Sequence, residues 1–172
     1  MRKITDSMWV VLSLCVLANC GSPALTLADY PDACNTLVAD LSSGTLSGAP
    51  PTISYEQAQA HFGACKTGAT PEGSPINCGG GVFFLGKQFF LYTHRDYIEL
   101  RQGFEGQFVG GIDFASDRQV VKATYGIPSL QPDVDTDLYE TRYGTLRIEY
   151  RFGEISIIAM HSVPPEVVEL CR

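Results

Sequence analysis

Three groupings of side chains invite a chemical reading. His94 and Asp96, within Thr93-His94-Arg95-Asp96, could serve as a general base and the carboxylate that orients it. The same four residues have the composition of a hairpin tip, where polar side chains collect without catalytic cause. Asp133, Asp135 and Asp137 repeat at the 1-3-5 spacing of a calcium loop. Leu138, however, stands where such a loop needs glycine, and Gly144 where it needs a bidentate glutamate. A solvated acidic loop accounts for them. Gly79-Gly80-Gly81 could cradle phosphate, yet it follows a cysteine and leads into a strand, which favours a turn. His61, on a helix beside Phe62, and His161, at a strand end, read as structural histidines. No GxSxG, P-loop, GxGxxG or HExxH pattern occurs. The chain reads as a non-enzyme that needs no cofactor.

The six cysteines sort themselves by position. Arg2 and Lys3 precede an apolar run at 8–18 (MWVVLSLCVLA), about the length of a secretory h-region and shorter than the ~20 residues of a membrane-spanning helix. Residues 1–28 therefore read as a signal peptide. Thr26-Leu27-Ala28 suits ordinary signal peptidase, and Leu17-Ala18-Asn19-Cys20 is the competing lipobox-like site, with cleavage at 19/20 and Cys20 acylated. Cys15 leaves with the leader, so Cys34, Cys65, Cys78 and Cys171 remain, an even set in an oxidising compartment. The expected bridges are Cys65 with Cys78, across a Gly/Pro-rich loop, and Cys34 with Cys171. Zinc has no supporting spacing, since CxxC and HxxxH are lacking and the three histidines are scattered.

A length of 172 residues allows one domain, here 29–172 after the leader. Twelve Lys+Arg against 19 Asp+Glu give a charge of −7, which becomes −8 once the basic leader is removed. That field repels phosphate backbones, so nucleic acid is excluded, and the membrane is approached only through a lipid on Cys20. With 45% apolar residues, 17 Gly and 10 Pro, the composition suits short strands and many turns.

A helix is expected at 32–41, a Ser/Gly/Pro linker at 42–51, and then a unit that recurs. Residues 54–63 (SYEQAQAHFG) and 117–126 (DRQVVKATYG) each start on a capping residue, Ser54 or Asp117, and end on aromatic-Gly. Ile98-Glu99-Leu100-Arg101 likewise matches Ile148-Glu149-Tyr150-Arg151. Two repeats at about 53–113 and 116–161 follow, the first carrying an insertion between Cys65 and Cys78. Alternation in 145–152 (TLRIEYRF) indicates a strand with one dry and one wet face. Strands at 138–142, 145–152 and 155–161 form one meander, and those at 81–85, 88–93, 97–102 and 107–114 another. The fold class is α+β: antiparallel sheet of about seven strands, two or three short helices, and two disulfides. Pro165 can open a terminal helical turn over 166–170.

A secreted tandem of helix plus antiparallel strands, with Cys65 and Cys78 bracketing a Gly/Ser-rich loop after Phe62-Gly63-Ala64, resembles the β-lactamase inhibitory proteins. It is also similar to the small lipoproteins of the outer-membrane barrel-assembly type. In size, leader and acidity it looks like the periplasmic immunity proteins that neutralise peptidoglycan-cutting toxins of the type VI secretion system. The resemblance implies a protein inhibitor and transfers no binding residue.

The expected partner is a basic secreted cell-wall hydrolase, amidase or lysozyme-like, met by an acidic surface and a projecting loop. The tip Gly103-Phe104-Glu105-Gly106, the flexible segment 110–116 with Asp113 and Ser116, the strand start Gln107, and Asp133, Asp135 and Asp137 are the candidate contacts. Two other roles compete: an envelope lipoprotein held by Cys20, and a ligand cup lined by Phe89, Tyr92 and Ile98. Mass spectrometry of the secreted protein is expected to find Asp29 as the first residue. Palmitate incorporation at Cys20 would instead mark the lipoprotein route.

Overall fold

The computed structural model describes residues 26–30, 32–65 and 79–170. Cys20, Cys78 and Cys171, and residues 1–25 of the expected leader, lie outside the described residues. The chain forms a seven-stranded antiparallel sheet in the order β3-β4-β5-β10-β9-β8-β7, beside a small three-stranded sheet, β2-β1-β6. The strands are β1 (Val38–Asp40), β2 (Thr45–Leu46), β3 (Val82–Phe84), β4 (Phe89–Tyr92), β5 (Tyr97–Arg101) and β6 (Gln107–Val109), then β7 (Leu130–Asp133), β8 (Thr136–Thr141), β9 (Gly144–Arg151) and β10 (Glu154–His161). Two helices, α1 (Tyr55–Phe62) and α2 (Arg118–Tyr125), complete the α+β fold.

Both helices start where their capping residues stand. The Ser54 hydroxyl accepts the Gln57 amide while the Gln57 side chain accepts the Ser54 amide, so two otherwise orphan donors are satisfied together. Asp117 accepts from the amides of Gln119 and Val120. Each helix buries a narrow stripe, Ala58 and Phe62 on α1 and Val121 on α2. Phe62 is fully buried and meets Phe84 and Phe89 at ring distances of 5.9 and 5.2 Å.

Each helix precedes an antiparallel run, and the two runs join edge to edge where β5 pairs with β10. The matching tetrapeptides fall on β5 and β9. Each is the third strand of its run counted from the preceding helix, and the two sit on either side of β10.

Several local expectations are corrected. Residues 32–41 hold a turn and then β1, because Val38–Asp40 pairs in parallel with Gln107–Val109. The stretch 42–51 contains β2, with Leu46 and Ala49 fully buried, so it packs as part of the core. Only 107–109 of the strand expected at 107–114 is extended, and it joins the small sheet instead of the meander. The terminal helical turn is a single 3₁₀ turn, Pro165–Val167, with Pro165 at its start as expected. The second face of the large sheet is not wet at its centre. Arg147 is 1% exposed because it and Glu99 flank Ala159 across β10, and its Nη2 donates to Glu99 Oε2 at 2.8 Å. Pairing across an intervening strand leaves no trace in the alternation of one strand.

The bridge is Cys34 to Cys65, with Cα atoms 5.2 Å apart, which overturns both expected pairings, Cys65–Cys78 and Cys34–Cys171. Cys34 lies just ahead of β1, and Cys65 ends the 3₁₀ turn that continues α1, so the fold rather than proximity in sequence selects the partner. A disulfide is compatible with an oxidising compartment. Among the described residues no helix is long and apolar enough to cross a membrane.

The bridge closes a loop of sequence separation 31, which loop-closure entropy values at about 3–4 kcal/mol. The double variant Cys34→Ala/Cys65→Ala is expected to lose about that much in urea denaturation. A loss below about 1 kcal/mol would show that the bridge does not constrain the unfolded chain.

Candidate functional site

Strand register places three connections at one end of the large sheet. Thr136 pairs with Glu149, Glu154 with Arg151 and Arg101 with Ile157, and the Gln102 amide donates to Ser156 O at 3.1 Å. Residues 102–106, 134–135 and 152–153 therefore extend from the same end. The segment 110–117 joins them through α2. Gln107, Asp113, Ser116, Asp133 and Asp135 line depressions among these connections.

The join is made by one arginine. Arg118, at the start of α2, donates from Nε to Asp137 Oδ2 at 2.8 Å and from Nη2 to Oδ1, while its Nη1 donates to the carbonyl of Val134 at 2.8 Å. Its guanidinium carbon lies 4.8 Å from the centre of the Tyr150 ring. The Asp137 side chain is completely buried and also accepts from Gln131. Burial pushes its carboxyl pKa up, but the bonds from Arg118 and Gln131 more than reverse this and hold it below the usual value. The bonds to Asp137 in turn raise the Arg118 pKa.

The loop 110–117 is held, contrary to the expected flexible insert. Asp113 Oδ1 accepts from the Ala115 amide and the Ser116 hydroxyl, and the Ser116 amide donates to Asp113 O at 3.2 Å. Tyr125 donates its hydroxyl proton to Gly110 O at 2.9 Å, and burial, helped by Asp40, pushes its pKa up to about 12, so the donor keeps its proton. Gln107, Asp113 and Ser116 share a depression of about 530 Å³ with Phe108 and Ile112. Asp133 and Asp135 line a second one of about 390 Å³, with Val134, Thr136, Glu149 and Tyr150. The Asp135 amide donates to Asp133 Oδ1, and Asp135 O accepts the Tyr150 amide. Burial raises the Glu149 pKa against the opposing pull of Arg147.

Two expected contacts are turned inward. Phe104 is 9% exposed, its ring edge-on to Phe108 at 5.4 Å, and Gly106 packs so closely on it that no side chain would fit there. The tip 103–106 is therefore a hydrophobic staple, and its one charged side chain, Glu105, is exposed and paired with Lys87 at 2.6 Å. Asp137 is committed to Arg118, which also separates it from Asp133 and Asp135 as a third cation ligand. The ligand cup does not form, because Phe89 and Ile98 belong to the helix-covered core and Tyr92 to the cluster on the opposite face. Of the other singled-out residues, His61 Nε2 donates to Ser47 O at 2.9 Å, and His94 and Asp96 lie in the β4–β5 turn.

The aromatic that does project is Phe152. It is 96% exposed and sits with Gly153 in the two-residue β9–β10 turn, at φ +55° and +86° respectively. Such paired left-handed residues match the twist of a tight hairpin, where asparagine or glycine is usual and a bulky side chain costs ~1 kcal/mol or more. Val134 is 78% exposed at the neighbouring β7–β8 turn. Sequence reasoning had assigned Phe152 to the inward face of β9. The signal available was the dipeptide Phe152-Gly153 between two strands, which a two-residue turn would claim.

Compared with protein-family descriptions, with curated proteins and with solved structures, the chain gives no match.

Removing the cation from this clamp leaves a buried carboxylate unpaired. Arg118→Met is expected to cost about 3 kcal/mol or more in urea denaturation. Because the folded Asp137 pKa is depressed, its contribution is full above the unfolded value and is lost as pH falls through the lower folded value. Stability of the wild type should therefore fall on acidification from about pH 4 downward, with a shallower fall in Asp137→Asn. Equal slopes would show that the pair carries no linkage.

Proposed function

We propose that the protein is a periplasmic inhibitor of the immunity type, which blocks a peptidoglycan-degrading effector enzyme, amidase or lysozyme-like, by presenting the loop end of its sheet to the active-site cleft. The observation that carries this reading is Phe152. A large aromatic ring held in water on a left-handed backbone contributes little to the fold and has the chemistry of an interface anchor. Around it, Val134 adds apolar surface, while Asp113, Asp133, Asp135 and Glu154 supply negative charge. An enzyme that acts on anionic wall polymers presents the opposite sign, so the charge of the mature chain favours encounter at low salt. The pre-held loop 110–117 lowers the ordering cost of docking.

The contact set differs from the sequence expectation in its inserted tip and in the loss of Asp137, which Arg118 claims. The inserted element is the β9–β10 tip, with the 103–106 tip acting as its packed support. Gln107, Asp113, Ser116, Asp133 and Asp135 keep their place on the contact surface.

The experiment is a titration of disulfide-bonded mature protein into cationic amidase- and lysozyme-type hydrolases, read by release of dye from labelled peptidoglycan. One class is expected to lose activity with a stoichiometric endpoint, and Phe152→Asn should weaken the inhibition at least about tenfold. Asparagine accepts the left-handed backbone, so the same variant should unfold no more easily than the wild type. No inhibition of either class, or full inhibition by Phe152→Asn, would overturn the proposal.

A further inference from the structure

The tip that carries Phe152 also carries a cation. Arg151 is exposed, and its guanidinium carbon lies 5.6 Å from the centre of the Phe152 ring, within reach of a cation–π contact. Three other cations at this end of the sheet are each held by a carboxylate of the chain: Lys87 by Glu105, Arg101 by Glu99 and Arg118 by Asp137. Arg151 forms no ion pair among the described residues, not even with Glu154, its register partner across the β9–β10 turn.

Negative charge stands on both sides of this cation. On one side Asp135 O accepts the Tyr150 amide at 2.8 Å, which sets the β7–β8 turn, with Asp133 and Asp135, beside the β9 residue that precedes Arg151. On the other side is Glu154, exposed at the start of β10. The surface is therefore a tip of cation and ring with acidic flanks. A cleft that complements it has the reverse pattern, a basic rim and an anionic floor. Among wall hydrolases the charge of the floor differs by class. A glycosidase has two carboxyl groups flanking the scissile bond, at least one of them ionised. A metal-dependent amidase has a divalent cation there, and a cysteine amidase a thiolate beside an imidazolium. A tip cation is repelled by the metal and finds the thiolate already paired. The glycosidase floor alone holds a carboxylate that needs a partner once water is expelled.

Resting on the inhibitory role given above, we propose that the target is a lysozyme-type glycosidase, and that Arg151 sets this choice by placing its guanidinium on the ionised catalytic carboxylate while Phe152 fills the adjoining groove. The ring supplies the buried area and the arginine the direction, because a guanidinium fork meets both oxygens of a carboxylate. The acidic flanks meet the basic rim of an enzyme that acts on an anionic polymer.

The experiment titrates disulfide-bonded mature protein into c-type, g-type and phage-type lysozymes and into zinc and cysteine amidases, read by dye release from labelled peptidoglycan. At least one lysozyme is expected to be inhibited, and no amidase. Arg151→Gln should weaken that inhibition at least about tenfold, and Arg151→Lys, which keeps the charge without the fork, by less. Its urea midpoint should match the wild type, since the side chain is exposed. Direct contact is read from binding to the inhibited lysozyme with its ionised catalytic carboxylate replaced by the amide. That change should weaken wild-type binding about tenfold and binding of Arg151→Gln by less than about twofold. Inhibition of an amidase and of no lysozyme would overturn the assignment and leave the inhibitory role standing. Equal losses for wild type and Arg151→Gln on the amide enzyme would overturn the contact. Inhibition of no hydrolase would overturn the inhibitory role and the assignment together.

Discussion

The loop end of the sheet depends on a carboxylate that has no access to water. Asp137 sits on the helix-facing side of β8, opposite Ile148, and can remain ionised there only because Arg118 reaches it from the first turn of α2. The same guanidinium holds the Val134 carbonyl and lies over Tyr150. One side chain thereby fixes a helix start, the β7–β8 turn and the second strand of a hairpin relative to each other. A bare hydrophobic contact would allow these elements to slide. A bidentate pair has only one good geometry, so the cost of burying it is returned as position.

A second buried pair acts on the other face. Glu99 and Arg147 meet across Ala159 at the strand that joins the two antiparallel runs, and Arg101 donates from Nε to Glu99 Oε1 at 2.7 Å. A one-residue slip at either the β5–β10 or the β9–β10 pairing would separate these charges and put the core faces of the paired strands out of step, so the register there is doubly specified. With the joint fixed, residues more than thirty positions apart, such as Asp113 and Phe152, reach the same end in a defined relation. Recognition by a shallow surface needs that definition, because such surfaces work through a few well-placed anchors.

Much of the fold was legible because it follows local rules. Ser54 and Asp117 mark helix starts by capping, and the alternation around Leu146, Ile148 and Tyr150 marks a strand with a core face. What was hidden is non-local. Val38–Asp40 becomes a strand because Gln107–Val109 runs beside it, and Cys34 finds Cys65 through that packing. At the candidate site, the acidic residues were visible from sequence because charged side chains gather in turns, where Asp113 and Asp133 accept backbone amides two residues on. The direction of Phe104 and Phe152 was not, since an aromatic in a glycine-rich tip can staple inward or project, and packing decides. Asp137 looked like its neighbours Asp133 and Asp135 until Arg118, 19 positions away, was seen to claim it.

The central claim is that the loop end is a pre-formed, rigid surface held by Arg118. Backbone ¹⁵N relaxation of the free mature protein tests it most directly. The account expects order parameters near those of the strands, about 0.8 or above, through 110–117 and 133–136, with a drop confined to those segments in Arg118→Met. Order parameters below about 0.6 in the wild-type segments would contradict it, since the surface would then form only on binding.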